Sequence, residues 1–158
     1  MTNRKRRTFL KQGLASALVG AGASAGLLAP ARLLAEWPRQ AFEAKGVDDA
    51  LRGLYGGASP QAAPEGAITI KAPGEAENGA VVPITITTNL PNVRQVAILG
   101  EKNPIPLIAS AAFSGALPYL AMRIKMGESS DVHVVVETAD GLYRARRNVR
   151  VAVGGCGA

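Results

Sequence analysis

The sequence has 158 residues, of which 47% are hydrophobic and 19% charged. This balance suits one globular domain and excludes a disordered chain. The formal net charge is +6, but six basic residues and no acidic residue precede Glu36, so 12 basic residues face 12 acidic ones from there onward. The late basic cluster Arg144, Arg146, Arg147 and Arg150 is interpreted as the solvated face of a strand. Nucleic acid is therefore excluded as an expected partner, because a binder needs a basic stripe in the mature chain.

The first 35 residues have the layout of an export signal. Residues 5–11, K-R-R-T-F-L-K, are basic, and an apolar stretch rich in Ala, Gly and Leu follows from Leu14 to Leu28. Small residues that suit cleavage come next, up to Ala31 or Ala35. The paired arginines in this setting resemble the twin-arginine consensus. We expect a twin-arginine signal peptide over residues 1–35, cleavage between Ala31 and Ala35, and a periplasmic mature protein without a membrane segment.

Residues 36–66 are predicted to form a helical preface and a linker. Pro38 suits the first turn of a helix, and Gly46 interrupts that helix. A second helix follows, because apolar residues recur at helical spacing on one face: Val47, Ala50, Leu51, Leu54 and Tyr55. Gly56-Gly57 end this helix, and residues 58–66 are the predicted linker. The apolar face packs either against the domain or against a partner.

From Ile68 onward the apolar period changes to two, which is typical of β-strands. Asn78-Gly79 and Asp140-Gly141 are hairpin-type turn signals, and Pro83 predicts an edge strand or a bulge because proline lacks a backbone donor. About seven strands are predicted, around residues 68–71, 82–86, 93–99, 107–113, 120–126, 132–136 and 143–153. The predicted fold class is therefore all-β: an immunoglobulin-like antiparallel β-sandwich over residues 67–153, with a short N-terminal helical segment and a flexible C-terminal arm over residues 154–158.

The inventory of reactive side chains is short. The chain has one histidine and one cysteine, and His133 lies mid-strand among valines, as a surface or partly buried residue does rather than a metal ligand. No C-x-x-C motif is present, which excludes a self-contained dithiol oxidoreductase. No glycine-rich phosphate loop precedes a helix. We therefore predict no catalytic residue, no metal site and no cofactor.

The tail V-A-V-G-G-C-G-A, residues 151–158, contains the single cysteine, Cys156. Gly154, Gly155 and Gly157 flank it and have no Cβ to restrict the backbone, so we expect a slender, mobile arm. Cys156 lies three residues beyond Val153, which allows a span of up to ~10 Å. A thiol on such an arm can enter a narrow cleft in another protein. A nucleophilic pair of Cys156 with His133 is not expected, because a tail does not hold a fixed reactive geometry.

Several segments together with this tail resemble the SoxY family, the sulfur-carrier subunits of bacterial thiosulfate-oxidising systems. The tail G-G-C-G is the most specific of them; Ala158 stands where the family usually ends in a further glycine. The other segments are V-D-D-A-L-R-G-L-Y-G-G from residue 47, residues 70–84, L-P-N-V at 90–93, E-K-N-P-I-P-L-I-A at 101–109 and R-I-K-M-G-E-S-S-D-V at 123–132.

The resemblance implies a carrier that is not itself a catalyst, with sulfur attached covalently to Cys156 and Gly154, Gly155 and Gly157 as flexible flanks. It implies a heterodimer with a SoxZ-like subunit. It also implies transient contacts with a SoxAX-like haem enzyme that couples thiosulfate to the cysteine, a SoxB-like hydrolase that releases sulfate, and, where present, a sulfane dehydrogenase.

Two alternatives of other classes remain open from the residues alone. One is a periplasmic thiol-dependent sulfurtransferase or peroxidase that uses Cys156, which predicts turnover by the purified chain alone. The other is a purely structural immunoglobulin-like module, which predicts that removal of residues 154–158 has no effect.

Overall fold

The computed structural model describes residues 38–153, which form two short helices followed by nine β-strands. The predicted signal peptide over residues 1–35 lies outside the described residues. The helices are α1 (Arg39–Phe42) and α2 (Val47–Tyr55). The strands are β1 (Gln61–Ala62), β2 (Ile68–Lys71), β3 (Glu75–Asn78), β4 (Val82–Thr88), β5 (Val93–Gly100), β6 (Leu107–Ala112), β7 (Tyr119–Ile124), β8 (Ser130–Thr138) and β9 (Leu142–Val153).

The strands form two sheets that face each other, as the predicted all-β sandwich requires. The larger sheet has the order β1-β9-β8-β5-β6, with β3 also paired to β9, and the smaller has the order β2-β4-β7. The larger sheet is antiparallel from β9 to β6, whereas β1 and β3 run parallel to β9. Buried side chains from both sheets meet between them, among them Ile84, Ile86, Ile98, Val134 and Val149. The alternating apolar residues therefore close one core.

A second buried cluster covers the outer face of the larger sheet. Ala50 and Leu51 of α2 and Ala41 of α1 pack there against Leu99 of β5 and Val135 of β8. The strands β5 and β8 are therefore buried on both faces, one by the smaller sheet and one by the helices. The apolar helical face packs against the chain's own sheet, which decides between the two roles predicted for it and makes it unavailable to a partner subunit.

The helix boundaries follow the glycines. Gly46 is the N-cap of α2, and Gly56 ends the helix in the left-handed conformation with φ 63°, which glycine adopts without steric cost. Asp48 and Asp49 lie in the first turn, where the helix dipole favours negative charge. The predicted helix and both of its ends are thus confirmed.

Gly53 lets α1 and α2 approach closely. A Cβ at this position would lie 2.7 Å from the backbone nitrogen of Ala41 and 2.9 Å from its Cα, and backbone atoms cannot move aside as a side chain end can. We expect Gly53→Ala to lower the free energy of unfolding by about 1–3 kcal/mol, although alanine favours a helix over glycine by ~1 kcal/mol. Urea unfolding measures this, with Gly74→Ala as control, because a Cβ at Gly74 meets nothing within 4 Å. A stabilised Gly53→Ala variant would contradict the close approach.

Two connecting segments differ from the sequence prediction. The predicted linker contains β1, which pairs in parallel with Tyr143 and Arg144 of β9. Asn78-Gly79 is a turn but not a hairpin, since β3 pairs with β9 and β4 pairs with β2 and β7. In contrast, Asp140-Gly141 joins the antiparallel pair β8 and β9 as predicted, with Gly141 at φ 148°.

The prediction of an edge strand or a bulge at Pro83 is wrong. Its strand, β4, lies in the middle of the smaller sheet, and the pairing with β7 runs without a shift. However, β2 pairs with β4 from Thr85 to Thr88, so Pro83 lies past the end of β2 and opposite Arg123 of β7. The proline is tolerated because one of its flanks has no neighbouring strand.

Within residues 38–153, no helix has the length and apolarity that crossing a bilayer requires.

Candidate functional site: the end of strand β9

Strand β9 leads directly into the cysteine tail, and its last residues have their own partners. Ser130, the first residue of β8, pairs with Val149, so β9 continues past the end of β8. Over these last residues β9 pairs in parallel with β3, with Glu75, Ala76 and Asn78 opposite Arg150, Val151 and Val153. The strand is therefore supported up to its last residue, three positions before Cys156.

Side-chain and main-chain hydrogen bonds fix the same stretch. The backbone N–H of Val151 donates to Ser129 Oγ at 2.8 Å, and the backbone N–H of Arg150 donates to the carbonyl of Gly74 at 3.1 Å. The guanidinium of Arg150 also lies 3.4 Å from Glu75, an exposed ion pair of the kind that contributes little to stability. These bonds fix the position of the strand residues that precede the tail.

The predicted site residues themselves, Cys156 with Gly154, Gly155 and Gly157, lie outside the described residues. What the structure places is the strand that precedes them and the elements around its end. Sequence reasoning missed two of those elements, β3 and Ser129. The segment E-A-E-N of β3 shows one buried residue, Ala76, and its partner strand lies about seventy positions further along the chain, so no local pattern could indicate the pairing.

His133 is more deeply buried than the sequence suggested. It lies on β8 opposite Leu99 of β5 and Arg146 of β9, is 8% exposed, and neither ring nitrogen has a hydrogen-bond partner among residues 38–153. Burial and the cations Arg144 and Arg146 lower the pKa of its imidazole, while Glu101 and Asp131 partly offset them. The described residues bring no three His, Asp or Glu side chains together as a metal cage would.

The buried neutral imidazole predicts a loss of stability in acid. The pKa of His133 in the folded protein lies below its ordinary value of 6.5, so below about that pH the unfolded chain binds a proton that the folded chain refuses. We expect the free energy of unfolding to fall as the pH drops through this window, and His133→Leu to remove that part of the fall. Urea unfolding of both proteins at pH 7.5 and pH 5 tests this; identical pH dependence would contradict it.

Of the four late arginines, Arg146 and Arg150 lie on a solvated strand face as the sequence predicted. Arg144 is half-buried, and Arg147 lies on the other face of β9, in register with Val132 of the core. The side chains of Arg146 and Arg150 are more than two-thirds exposed, and each faces a carboxylate, Asp131 at 3.8 Å and Glu75 at 3.4 Å. These carboxylates partly neutralise the charge of the two arginines, which does not favour the binding of nucleic acid.

A hollow around Tyr55 marks the opposite end of the sandwich. It is lined by the end of α2 and by the β8–β9 turn around Asp140. The hydroxyl of Tyr55 is buried without a hydrogen-bond partner among the described residues, and burial together with Glu137 raises its pKa. A phenol held neutral in this way is no acid or base at ordinary pH.

The family model described as "Sulfur oxidation protein SoxY" matches residues 52–156, more than half of the chain, and the match reaches Cys156. The chain belongs to the SoxY family. Membership confirms the resemblance recognised in the tail and the internal segments, and it supports a sulfur-carrier role in thiosulfate oxidation. No curated protein matches the chain in a sequence comparison.

One solved structure agrees with this membership. The sulfur carrier protein SoxY from Chlorobium limicola f thiosulfatophilum is 36% identical to this SoxY-family chain, with a TM-score of 0.62, and the match covers 68% of this chain and 97% of that one. Superoxide reductase (neelaredoxin) from Ignicoccus hospitalis is 19% identical with a TM-score of 0.48, covering 54% of this chain and 80% of that one. The first likeness confirms the sandwich fold; the second adds nothing to the assignment.

Proposed function

We propose that the chain is a periplasmic sulfur carrier that holds thiosulfate-derived intermediates covalently on Cys156. The observation that carries this proposal is the position of the single cysteine, three residues beyond the supported end of β9 and flanked by glycines. SoxY-family membership supports it. A thiol three residues beyond a fixed strand can reach up to ~10 Å from it and enter a cleft in another protein.

The chemistry needs one thiol and no resident cofactor. Oxidative coupling joins the sulfur of Cys156 to the outer sulfur of thiosulfate, releases the thiol proton and passes two electrons to the haem of a SoxAX-like enzyme. Hydrolysis by a SoxB-like enzyme then takes up one water, releases sulfate and leaves the outer sulfur on Cys156 as a persulfide. Because sulfur–sulfur bonds form and break by attack of thiolate on sulfur, such a group can be carried and later removed.

Partner enzymes supply the catalysis in this proposal. Among residues 38–153, the side chains of His133 and Tyr55 are buried without hydrogen-bond partners, and neither residue lies at the end of β9. A SoxZ-like subunit completes the carrier. The helical face of Leu51 is already covered, so that subunit binds another surface. Export follows the twin-arginine signal around Arg6 and Arg7.

The proposal is tested on the protein as it occurs in cells. The chain is isolated from the periplasm of thiosulfate-grown bacteria and its intact mass is measured before and after treatment with a reductant. We expect a chain that starts between residues 30 and 38, co-purifies one-to-one with a SoxZ-like subunit, and has sulfur adducts that the reductant removes. An unprocessed chain, an unmodified mass under all growth conditions, or turnover of thiosulfate by the purified chain alone would contradict it.

A further inference from the structure

Three turns lie together at the end of the sandwich where β9 finishes. The strand pairing shows this: Val153 is opposite Asn78, Val82 is opposite Ile124, and Gly100 is opposite Val132. Consequently the turns that follow β3, β5 and β7 all lie at the same end of the sandwich as the end of β9. We call residues 79–81, 101–106 and 125–129 together the arm platform.

Hydrogen bonds join the three turns to one another. Asn103 Nδ2 donates to the carbonyl of Lys125 at 2.8 Å, and the backbone N–H of Gly127 donates to Asn103 Oδ1 at 3.0 Å. The backbone N–H of Met126 donates to the carbonyl of Gly79 at 2.7 Å, and Ser129 in turn accepts from Val151 of β9. The arm platform is therefore one connected surface, fastened to the strand that bears the tail.

The arm platform exposes apolar side chains and has balanced charge. Val81 is 52% and Ile105 is 53% exposed, on two different turns. Its charged side chains are two acidic and two basic: Glu101, Glu128, Lys102 and Lys125. Lys102 and Glu128 pair with each other at 3.3 Å. A matching surface is therefore apolar and carries little net charge.

The length of the tail limits how far an enzyme can remain from this surface. Three residues from Val153 to Cys156 span at most ~10 Å, so a cleft that encloses the thiol brings its mouth within that distance of the end of β9. The turns at that end of the sandwich then face the enzyme. An isolated exposed apolar residue needs no explanation, but Val81 and Ile105 are both exposed at the same end of the sandwich as the start of the tail.

We infer that the arm platform is the docking surface for the enzymes that process sulfur on Cys156, with Val81 and Ile105 against an uncharged apolar rim around each enzyme's cleft. The inference rests on the proposed function, because it requires that Cys156 is the carried site. It also gives one surface to several enzymes, which have to take turns at it. Binding and release are therefore brief, and docking affects the KM of each enzyme for the carrier more than its kcat.

Kinetics of a SoxB-like hydrolase on the full-length carrier, loaded and in complex with its partner subunit, test this inference. We expect Ile105→Asp to raise the KM for the carrier about tenfold or more, because it places an unpaired charge in an apolar contact, with kcat within about twofold. Val81→Asp, on another turn, serves as the second variant with the same expected result. Leu117→Asp is the matched control, since Leu117 is 87% exposed on the β6–β7 connection at the opposite end, and it leaves KM unchanged.

Two further measurements separate docking from other effects. Alkylation of Cys156 by iodoacetamide has no docking step, so its rate is the same in all variants, and sedimentation shows the same heterodimer. An unchanged KM in both platform variants would overturn the inference, and so would loss of the heterodimer, which would assign the surface to the permanent subunit instead. Failure of the wild-type carrier to load sulfur on Cys156 would overturn the proposed function with it, whereas an unchanged KM of a loaded carrier overturns docking alone.

Discussion

We expect Cys156→Ser to abolish thiosulfate-dependent oxidation in the reconstituted system. This is the largest effect on activity that we expect of any single substitution. Serine keeps the size and polarity of the side chain, but its hydroxyl is neither a thiolate nucleophile nor able to form a sulfur–sulfur bond. The sequence contains no second cysteine to take over. Electron transfer from thiosulfate to the haem enzyme, followed by absorbance, measures the loss.

The same variant has to keep its fold and its partner for this result to count. Serine differs from cysteine by a single atom, and the two buried clusters are formed by the helices and the sandwich, so we expect an unchanged urea midpoint and an unchanged heterodimer. Residual oxidation near the wild-type rate in a folded, partnered Cys156→Ser variant would refute the carrier mechanism.

Ile98→Ala is expected to cause the largest loss of stability. Ile98 is fully buried in the middle of β5, with Val134 of β8 and Ala109 of β6 beside it in register. Removing three carbons there leaves a cavity between the two sheets, and strand pairing within each sheet limits how far the backbone can move to fill it, so the change costs about 2–5 kcal/mol. For a domain whose whole stability is about 5–15 kcal/mol, this is a large fraction. Urea unfolding of the purified chain gives the value.

Ile105→Ala provides the matched comparison for that measurement. It makes the same chemical change at an isoleucine that is half exposed on the arm platform, so we expect a change within about 0.5 kcal/mol. Equal losses at the two positions would show that Ile98 does not lie in the core described above. The same comparison establishes that position 105 tolerates substitution, which the docking experiment requires.

Local patterns predicted most of the fold because most of the strands alternate along their own length. Ile84 and Ile86 face the core while Pro83 and Thr85 do not, and the glycines around α2 mark both of its ends. Such signals depend on neighbouring residues, which the sequence displays directly.

The features that sequence reasoning missed depend on distant residues. Ala97 and Leu99 are as buried as Val96 and Ile98, because α1 and α2 cover the face of β5 that a simple sandwich leaves to solvent. His133 is also buried on β8, although a polar residue on a strand usually faces solvent. No periodicity within one strand distinguishes these cases.

The candidate site likewise combines residues with a local sequence signal and residues without one. The role of Cys156 is inferred from composition and from its glycine neighbours alone, and it stays a prediction. The arm platform could not be inferred in this way, because its segments lie apart in the sequence and are brought together by strand direction and by Asn103.

Peptide mass spectrometry of the loaded carrier tests the central claim most directly. Trypsin cleaves after Arg150 and releases the peptide that holds Cys156. Released from the thiosulfate-coupled heterodimer in the absence of added thiol, this peptide is predicted to bear the thiosulfate-derived adduct, and after hydrolysis a single additional sulfur, both removed by reductant. An unmodified Cys156 peptide from a carrier that nevertheless contains bound sulfur would contradict the account.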